Sequence, residues 1–428
     1  MKLFNKLGAE IEILWRDKNY DEAVFPEIAA QKLKEANLPA KVSAWEVIEW
    51  TLNETFLPEQ KDLHASFGDP PITIYNSPRF HIDVYFWLEG TTAIHQHAFC
   101  GAFQVLLGSS IHSWYEFERH EIINTFTEIG NINLKLCELL NVGDTLAINA
   151  GRDYIHGLFH LEQPSATIVV RTHKSPMFLP QYNYHKPFLA IDPFFEEANT
   201  TKKMQAINAL LRSKHADADK FIVGWLEKAD FQTSFMILSN IRHLLRSNKI
   251  DEMFNLGESE SRFDALLQIT RQRHGERANI FPKIFAHQSK VDEILQRRSV
   301  ITEPEHRFFL ALLMNVEGKE RIFSLIKERF PDAEPLEKVL DWTFDLANTR
   351  VLGLNIPNAI GIEDFGDLDL FILESLLKNL SNEEAEKILQ TDYGMEITEE
   401  IRQNVQKKRE QIRQAIIFEP LGLSEQPM

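Results

Sequence analysis

The stretch Gly90-Thr91-Thr92-Ala93-Ile94-His95-Gln96-His97 decides how this chain is interpreted. Side chains two residues apart on an extended strand point to the same side, so His95 and His97 can bind one ion together. A later segment, Gly143-Asp-Thr-Leu-Ala-Ile-Asn149, is followed by His156. A third imidazole on a later strand completes a facial set of ligands for one metal ion. The spacing therefore predicts a mononuclear metal site, with His95, His97 and His156 as ligands, inside a small β-barrel.

Short β-branched and aromatic segments, separated mostly by Gly, Asn, Asp or Pro, surround these histidines. Strands at such close spacing are typical of an antiparallel sandwich or barrel. We expect the barrel to span residues 70–180. The predicted strands are Ile72–Tyr75, His81–Leu88, Ala102–Leu107, His112–Phe117, Glu121–Thr127, Ile132–Leu139, Thr145–Ile148, Tyr154–His160 and Ala166–Thr172.

Helical periodicity replaces the strand pattern on both sides of this region. Apolar residues recur at helical spacing in residues 1–65, where two or three helices are expected, and again throughout residues 193–428. The predicted fold class is therefore α+β. A central antiparallel barrel is flanked by a short helical N-terminal segment and a larger all-α C-terminal domain.

Composition and charge limit the classes of function. The chain has 428 residues and a formal net charge of -17. An anionic surface repels a polyanion unless a basic stripe overrides it, so nucleic acid is not an expected partner. Two cysteines cannot build a disulfide framework, and no apolar run is long enough to cross a bilayer. We expect a reduced, cytoplasmic protein with no membrane partner.

The two histidine segments resemble the paired motifs of the cupin family. Gly90, His95, His97 and Gly108 match the first motif, G-x5-H-x-H-x3/4-E-x6-G, with one residue fewer after the opening glycine. Gly143, Gly151 and His156 match the second motif, G-x5-P-x-G-x2-H-x3-N, with two residues more before the histidine. The resemblance implies metal-binding side chains inside a barrel that is small enough to exclude bulk water.

The chain departs from the cupin pattern at the positions of two polar residues. Counted back from Gly108, the family's glutamate ligand falls on Gly101, and Gln104 lies on the opposite face of the strand. The family's asparagine becomes His160. Three histidines without a carboxylate are typical of the thiol dioxygenase branch of cupins, the relatives of cysteine dioxygenase. The segment 80–97, with its Trp-x-Glu-Gly, is similar to the strand that precedes their ligand pair, and the similarity covers roughly residues 75–180.

Cysteine dioxygenases, which this region resembles, also carry a Ser-x-His-x-Tyr relay on the strand after the third ligand. The matching stretch, 167–173, gives Thr-Val-Arg or Val-Arg-His at the relay positions, depending on a two-residue gap. The relay is not preserved, which puts cysteine itself in doubt as the substrate. The family's arginine for the substrate carboxylate corresponds to Arg79, or Arg171 does that work through its bidentate fork.

The resulting hypothesis is a non-haem iron dioxygenase acting on a small, anionic molecule, which can be a thiol. Fe(II) is the expected metal, with zinc, manganese or nickel as alternatives. Two other hypotheses stay open: a non-oxidative metal cupin, such as an isomerase, lyase or hydrolase, and a non-catalytic cupin that senses a metabolite or metal and signals through its helices. The helical domain is also a candidate surface for a homodimer or a protein partner.

Four residues are candidates to supply hydrogen bonds next to the metal site. The candidates are His160, His173, Tyr154 and Tyr115. His81, His112 and His120 are instead expected to be ordinary surface or hydrogen-bonded histidines, because a lone histidine in a strand usually is one.

Overall fold

The computed structural model describes residues 1–61, 63, 68–88, 93–247, 258–351 and 356–423. The glycine that opens the first histidine motif, Gly90, and Glu89 before it lie outside the described residues. No helix in the described part of the chain has both the length and the apolar character that crossing a membrane requires.

A five-stranded antiparallel sheet carries the N-terminal helices on one face. Its strand order is β1-β2-β9-β4-β7. The strands are β1 (Pro71–Asn76), β2 (Phe80–Trp87), β4 (Gly101–Leu107), β7 (Thr145–Ile148) and β9 (Ser165–Thr172). The helices are α1 (Lys2–Arg16), α2 (Phe25–Ala36) and α3 (Ala44–Asn53). Alternate residues of β2, beginning with Phe80 and Ile82, share one apolar core with α1 and α2.

Six further strands close into a barrel. Around the ring the order is β10-β11-β6-β5-β8-β3, and β3 pairs with β10 to close it. The strands are β3 (Ile94–His97), β5 (Ser110–Asn124), β6 (Thr127–Leu140), β8 (Gly151–His160), β10 (Asn183–His185) and β11 (Leu189–Ile191). Side chains that include Ile94, Ile155 and Tyr184 form one cluster within the ring. We call this ring the six-stranded barrel.

The five-stranded sheet packs against β3, β5 and β8 of the six-stranded barrel. Phe103 of β4, Leu158 of β8 and Trp114 of β5 belong to one apolar cluster that joins the two sheets. We call the region between them the inter-sheet space. Because strand residues alternate between faces, His95, His97 and His156 face the inter-sheet space, whereas Ile94 and Ile155 face the interior of the six-stranded barrel.

The C-terminal part of the described chain is helical. The helices are α4 (Ala198–Arg212), α5 (Ala218–Leu226), α6 (Phe231–Ser247), α7 (Glu258–His274), α8 (Ile280–Val300), α9 (Pro304–Asn315), α10 (Lys319–Arg329), α11 (Pro335–Ala347), α12 (Asp367–Leu377), α13 (Asn382–Thr391) and α14 (Glu399–Gln414). α9 lies at the centre of the largest apolar core, which also includes Ile111 and Phe159 of the six-stranded barrel. The helical part therefore packs directly on the strands.

The predicted α+β class, with a central antiparallel barrel between helical flanks, is confirmed. Three details differ from the sequence interpretation. The three histidines that were predicted to lie inside the barrel face the inter-sheet space instead, outside the ring of six strands. The predicted strand His112–Phe117 and most of the predicted strand Glu121–Thr127 belong to one strand, β5, whose pairing with β6 is interrupted by a bulge between Arg119 and Glu121. Thr127 is the first residue of β6. The three-residue strands β10 and β11, which follow residue 180, were not predicted; both are shorter than the runs that strand patterns reveal.

Candidate metal centre

Three histidine side chains meet in the inter-sheet space. One ring nitrogen from each of His95, His97 and His156 lies within 4.8 Å of the others, and all three residues are buried. The Nε2 atoms of His97 and His156 are 2.9 Å apart. Two nitrogens bound at about 2.1 Å to one ion are separated by roughly 3 Å, so this pair already has the spacing of two metal ligands. We call the three residues the histidine cluster.

Burial keeps the imidazoles of the histidine cluster neutral. It lowers the pKa of His95 to about 4. Burial also lowers the pKa of His97 and that of His156 well below the usual value, and the neighbouring imidazoles add to the effect. A metal ligand has to be the unprotonated imidazole, and these three are unprotonated at neutral pH without any metal.

A hydrogen-bond chain fixes the tautomer of His156. His112 Nε2 lies 2.9 Å from His156 Nδ1, and His112 Nδ1 lies 3.0 Å from Glu138 Oε1. The hydrogen bond from His112 lowers the pKa of Glu138, so the carboxylate is ionised and only accepts. His112 therefore donates from Nδ1 and accepts at Nε2, and His156 donates from Nδ1. The lone pair of His156 Nε2 is left for the histidine cluster.

His95 is oriented by its own strand. Its Nδ1 lies 2.6 Å from the carbonyl oxygen of Ala93, which can only accept. Nδ1 therefore carries the proton, and Nε2 carries the lone pair. Two of the three imidazoles thus present Nε2 lone pairs, and this neutral nitrogen donor set fits a divalent transition metal.

The absence of a carboxylate ligand at position 101 has a steric reason. A Cβ atom built on Gly101 would lie 1.9 Å from the carbonyl oxygen of Val170 on the neighbouring strand β9. No side chain fits there without moving β4 away from β9. Gln104 is buried on the opposite face of β4, where its Nε2 donates to Thr145 Oγ1 at 2.8 Å.

Tyr154 is the nearest hydroxyl-bearing ring to the histidine cluster. Its centroid is 4.6 Å from that of His156 and 6.0 Å from that of His97. Burial raises the pKa of Tyr154 above its usual value, so the hydroxyl keeps its proton. The hydroxyl oxygen is buried and has no hydrogen-bond partner among the described residues. It is available to donate to a molecule bound beside the cluster.

The ring of Phe99 lies between Arg171 and the histidine cluster. The Cζ of Arg171 is 4.7 Å from the centroid of Phe99, which is itself 4.4 Å from the centroid of His97. The positive charge of Arg171 contributes to the lowered pKa of His97, after burial and His95. Gly101 pairs with Arg171 across β4 and β9, so β4 presents no side chain opposite Arg171 at this position.

A buried carboxylate balances Arg171. Arg171 Nε donates to His81 Nε2 at 2.9 Å and lies 3.5 Å from Asp83 Oδ2. Thr73 donates to Asp83 Oδ1 at 2.7 Å, and Tyr85 donates to Oδ2 at 3.1 Å. Burial alone would raise the pKa of Asp83, but the charge of Arg171 and the hydrogen bond from Thr73 act against it, and the pKa is lowered. Asp83 is therefore ionised and holds the Nε side of Arg171 in place.

His160 and His173 lie in the same half of the molecule but not against the histidine cluster. The ring of His160 stacks on Trp87 at 4.5 Å, and its Nδ1 lies 2.8 Å from Ser165 Oγ. The ring of His173 stacks on His81 at 5.3 Å and is partly exposed. His173 thus adjoins the His81–Arg171 group, whereas His160 belongs to a separate stack.

Arg79 and Tyr115 lie elsewhere. Arg79 is exposed, and its Cζ stacks at 3.9 Å over Tyr20 of the N-terminal segment. Tyr115 lines a cavity between the six-stranded barrel and the C-terminal helices. Of the two arginines that the sequence left open, Arg171 is the one placed near the histidine cluster.

The sequence did not reveal that His112 contacts the histidine cluster or that Glu138 contacts His112. His112 was expected to be an ordinary surface or hydrogen-bonded histidine. His112 is fully buried and contacts a member of the histidine cluster. The available signal was strand parity: His112 and Trp114 alternate on β5, and Trp114 Nε1 also donates to Glu138. Asp83 was missed as well, although it alternates with His81 and Tyr85 along β2.

No protein-family model matches the chain, and no curated protein matches it. Among solved structures it is similar to a cupin-2 domain protein from Shewanella frigidimarina, with a TM-score of 0.19 and 14% identity over 31% of this chain and 97% of that chain. A protein with a double-stranded β-helix domain from Klebsiella pneumoniae matches with a TM-score of 0.18 and 14% identity, over 32% and 98% of the two chains. Recombinant oxalate oxidase in complex with glycolate matches with a TM-score of 0.21 and 14% identity, over 39% and 82%.

Proposed function

We propose that the chain is a metal-dependent oxygenase of the cupin type, which uses O2 to oxidise a small, anionic molecule in the inter-sheet space. The observation that carries the proposal is the histidine cluster, with three neutral, buried nitrogen donors within 4.8 Å of one another. His95, His97 and His156 would hold the metal. Fe(II) is the first choice, because a redox-active ion with open coordination positions supplies the chemistry that O2 requires.

The chain's own residues would bind and orient the substrate. Arg171 is the buried cation beside the histidine cluster and would attract an anionic group, while Asp83 keeps the guanidinium from turning away. Tyr154 would donate a hydrogen bond from its un-ionised hydroxyl. Burial of all these groups excludes water and strengthens each electrostatic contact. Thiols are the first substrate class to test, on the resemblance to thiol dioxygenases.

Metal content and oxygen uptake test the proposal. Protein purified without chelators should carry about one iron per chain and consume O2 when a small thiol carboxylate is added. His156→Ala should remove the metal and leave the circular dichroism spectrum largely unchanged, because the imidazole is one of only three donors. Unchanged metal content in His156→Ala would remove this residue from the ligand set.

A matched pair of arginine variants tests the substrate role. Arg171→Met should raise KM for the thiol carboxylate much more than it changes metal content, whereas Arg79→Met, which removes an exposed stacked arginine, should change neither. A KM effect in Arg79→Met alone would reassign the anchor.

A zinc enzyme is the second candidate, because three neutral histidines are also a donor set for catalytic zinc. Bound zinc without oxygen uptake would favour a hydrolase, lyase or isomerase at the same residues.

A further inference from the structure

A second cavity lies on the other side of the strands that carry the histidine cluster. Its volume is about 220 Å³, and its walls come from the six-stranded barrel and from helices α8 and α9. Ile94 and Gly157 line it, and each is next in sequence to a histidine of the cluster. Because neighbouring residues of a strand face opposite sides, the cavity and the histidine cluster are separate sites that share β3 and β8. We call this space the interdomain cavity.

Lys186 is the cationic side chain among the described residues that line the interdomain cavity. Its side chain is only 9% exposed, and its Nζ lies 4.7 Å from the centroid of the Tyr115 ring. Burial alone would lower the pKa of Lys186, but Tyr115 and Glu317 outweigh it and raise the pKa, so the ammonium is charged. A buried ammonium needs an anionic partner, because leaving it unpaired is costly.

Lys186 forms an ion pair with Glu317, whose side chain is largely exposed to solvent. Glu317 Oε1 accepts from Lys186 Nζ at 2.7 Å, yet the Glu317 side chain is 60% exposed. Glu317 belongs to the connection between α9 and α10, so the pair links the six-stranded barrel to the helical part. An exposed carboxylate gains little from an ion pair and loses little when it returns to water. A carboxylate from outside can therefore replace Glu317 on Lys186.

The rest of the wall suits a short apolar body with hydrogen-bonding capacity at its edge. Ile94, Val291 and Met314 supply apolar surface. His287 lines the same wall, and burial, assisted by Lys186, lowers its pKa to about 4, so the imidazole is neutral and able to donate or accept. Asp292 also lines the cavity. A wall that carries one lysine and one aspartate suits a single negative charge better than the double charge of a phosphate.

We propose that the interdomain cavity is a second small-molecule site, which binds a monocarboxylate with a short apolar body by exchanging it for Glu317 on Lys186. The exchange breaks an ion pair between the six-stranded barrel and the helical part, so occupancy of the cavity is communicated to the helices. This inference goes beyond the proposed oxygenase activity and does not depend on a metal at the histidine cluster.

Calorimetric titration of the full chain with benzoate tests the site, with benzamide as the uncharged control. Lys186→Met should weaken benzoate binding about tenfold or more, because it removes a charge-assisted hydrogen bond. Glu317→Gln should do the opposite and tighten binding, because it removes the competing carboxylate. Glu317 is a surface residue, so this second variant tests the exchange even if Lys186→Met folds poorly.

A closely matched ion pair outside the cavity wall provides the control. Lys32 and Glu10 of the N-terminal helices are 2.8 Å apart with side-chain exposures of 16% and 39%, and neither lines the cavity. Lys32→Met and Glu10→Gln should leave benzoate binding unchanged, and so should His97→Ala, which disables the histidine cluster. The proposal is overturned by any of five results: no benzoate binding, equal binding of benzamide, unchanged binding in folded Lys186→Met, no tightening in Glu317→Gln, or loss of binding in His97→Ala.

Discussion

Two buried regions of this molecule are built from opposite kinds of side chain. The middle of helix α9 is apolar on every face: the six consecutive residues Phe308–Leu313 are each at most 2% exposed. The inter-sheet space is as well buried, yet it contains histidines, an aspartate and an arginine. These residues are His81, Asp83, His95, His97, His112, His156, His160 and Arg171.

The difference separates residues that stabilise the fold from residues that the site requires. Burial of an apolar side chain is favourable, by about 25 cal/mol for each Å² removed from water. Burial of a polar group is unfavourable unless hydrogen bonds replace its water contacts, and Tyr154 and His160 each keep a buried polar atom with no partner among the described residues. Apolar burial in the helical core therefore stabilises the fold and offsets the cost of burying polar groups in the inter-sheet space. Variants in the two regions should accordingly lose different properties.

The largest effect on stability is expected in the helical core. Phe309 is fully buried, and its ring lies 5.5 Å from that of Trp342. Phe309→Ala should lower the free energy of unfolding by about 3–5 kcal/mol, because it leaves a cavity in a close-packed core. Urea denaturation measures the change. Metal affinity, measured on the folded variant, should match that of the parent chain; a large loss of affinity would mean that the helical core also shapes the histidine cluster.

A smaller effect of a different kind is expected at His112. His112→Ala leaves His156 Nδ1 without its acceptor, so the imidazole is no longer held in the ligand tautomer. Metal affinity should fall roughly 10–100-fold, as is usual when an outer partner of a metal ligand is lost. A competition titration with a chelating dye measures the affinity.

The matched control for His112 is His160→Ala, which removes an equally buried histidine that stacks on Trp87 instead. Both variants should lose stability, but only His112→Ala should lose metal affinity. Equal affinities in the two variants would show that the Glu138–His112 chain does not orient His156.

The sequence predicted the histidine cluster because its signal is local. His95 and His97 are two residues apart on one strand, and the glycines around His156 mark a second strand of the same kind. The barrel could be predicted for the same reason, since strand alternation and turn residues are read within short windows.

The partners of the cluster could not be predicted, because strand register brings them together. His112 meets Glu138 through the pairing of β5 with β6, and it meets His156 through the pairing of β5 with β8. A shift of one residue in either pairing would turn His112 to the other face. The choice between Arg79 and Arg171 had the same difficulty, because it depended on which arginine the fold turns inward.

The smallest expected effect concerns acid stability and returns to the inter-sheet space. Burial lowers the pKa of His160 from 6.5 to about 3. Below pH 6.5 the unfolded chain binds a proton at this residue and the folded chain does not, so stability that is present above pH 6.5 is lost as the pH falls towards 3. For one such group, the free energy of unfolding falls by about 2 kcal/mol between pH 6.5 and pH 5.

His160→Gln should remove that contribution, because glutamine does not titrate. Urea denaturation of metal-free protein at pH 6.5 and pH 5 should therefore show a smaller loss of stability in this variant than in the parent chain, whereas His120→Gln, at an exposed position, should keep the parent's full loss. The other buried histidines ensure that some acid sensitivity remains in every variant. If His160→Gln and the parent chain lost the same free energy over this interval, His160 would be protonated in the folded protein, and the inter-sheet space would hold a charge beside Trp87 rather than a neutral ring.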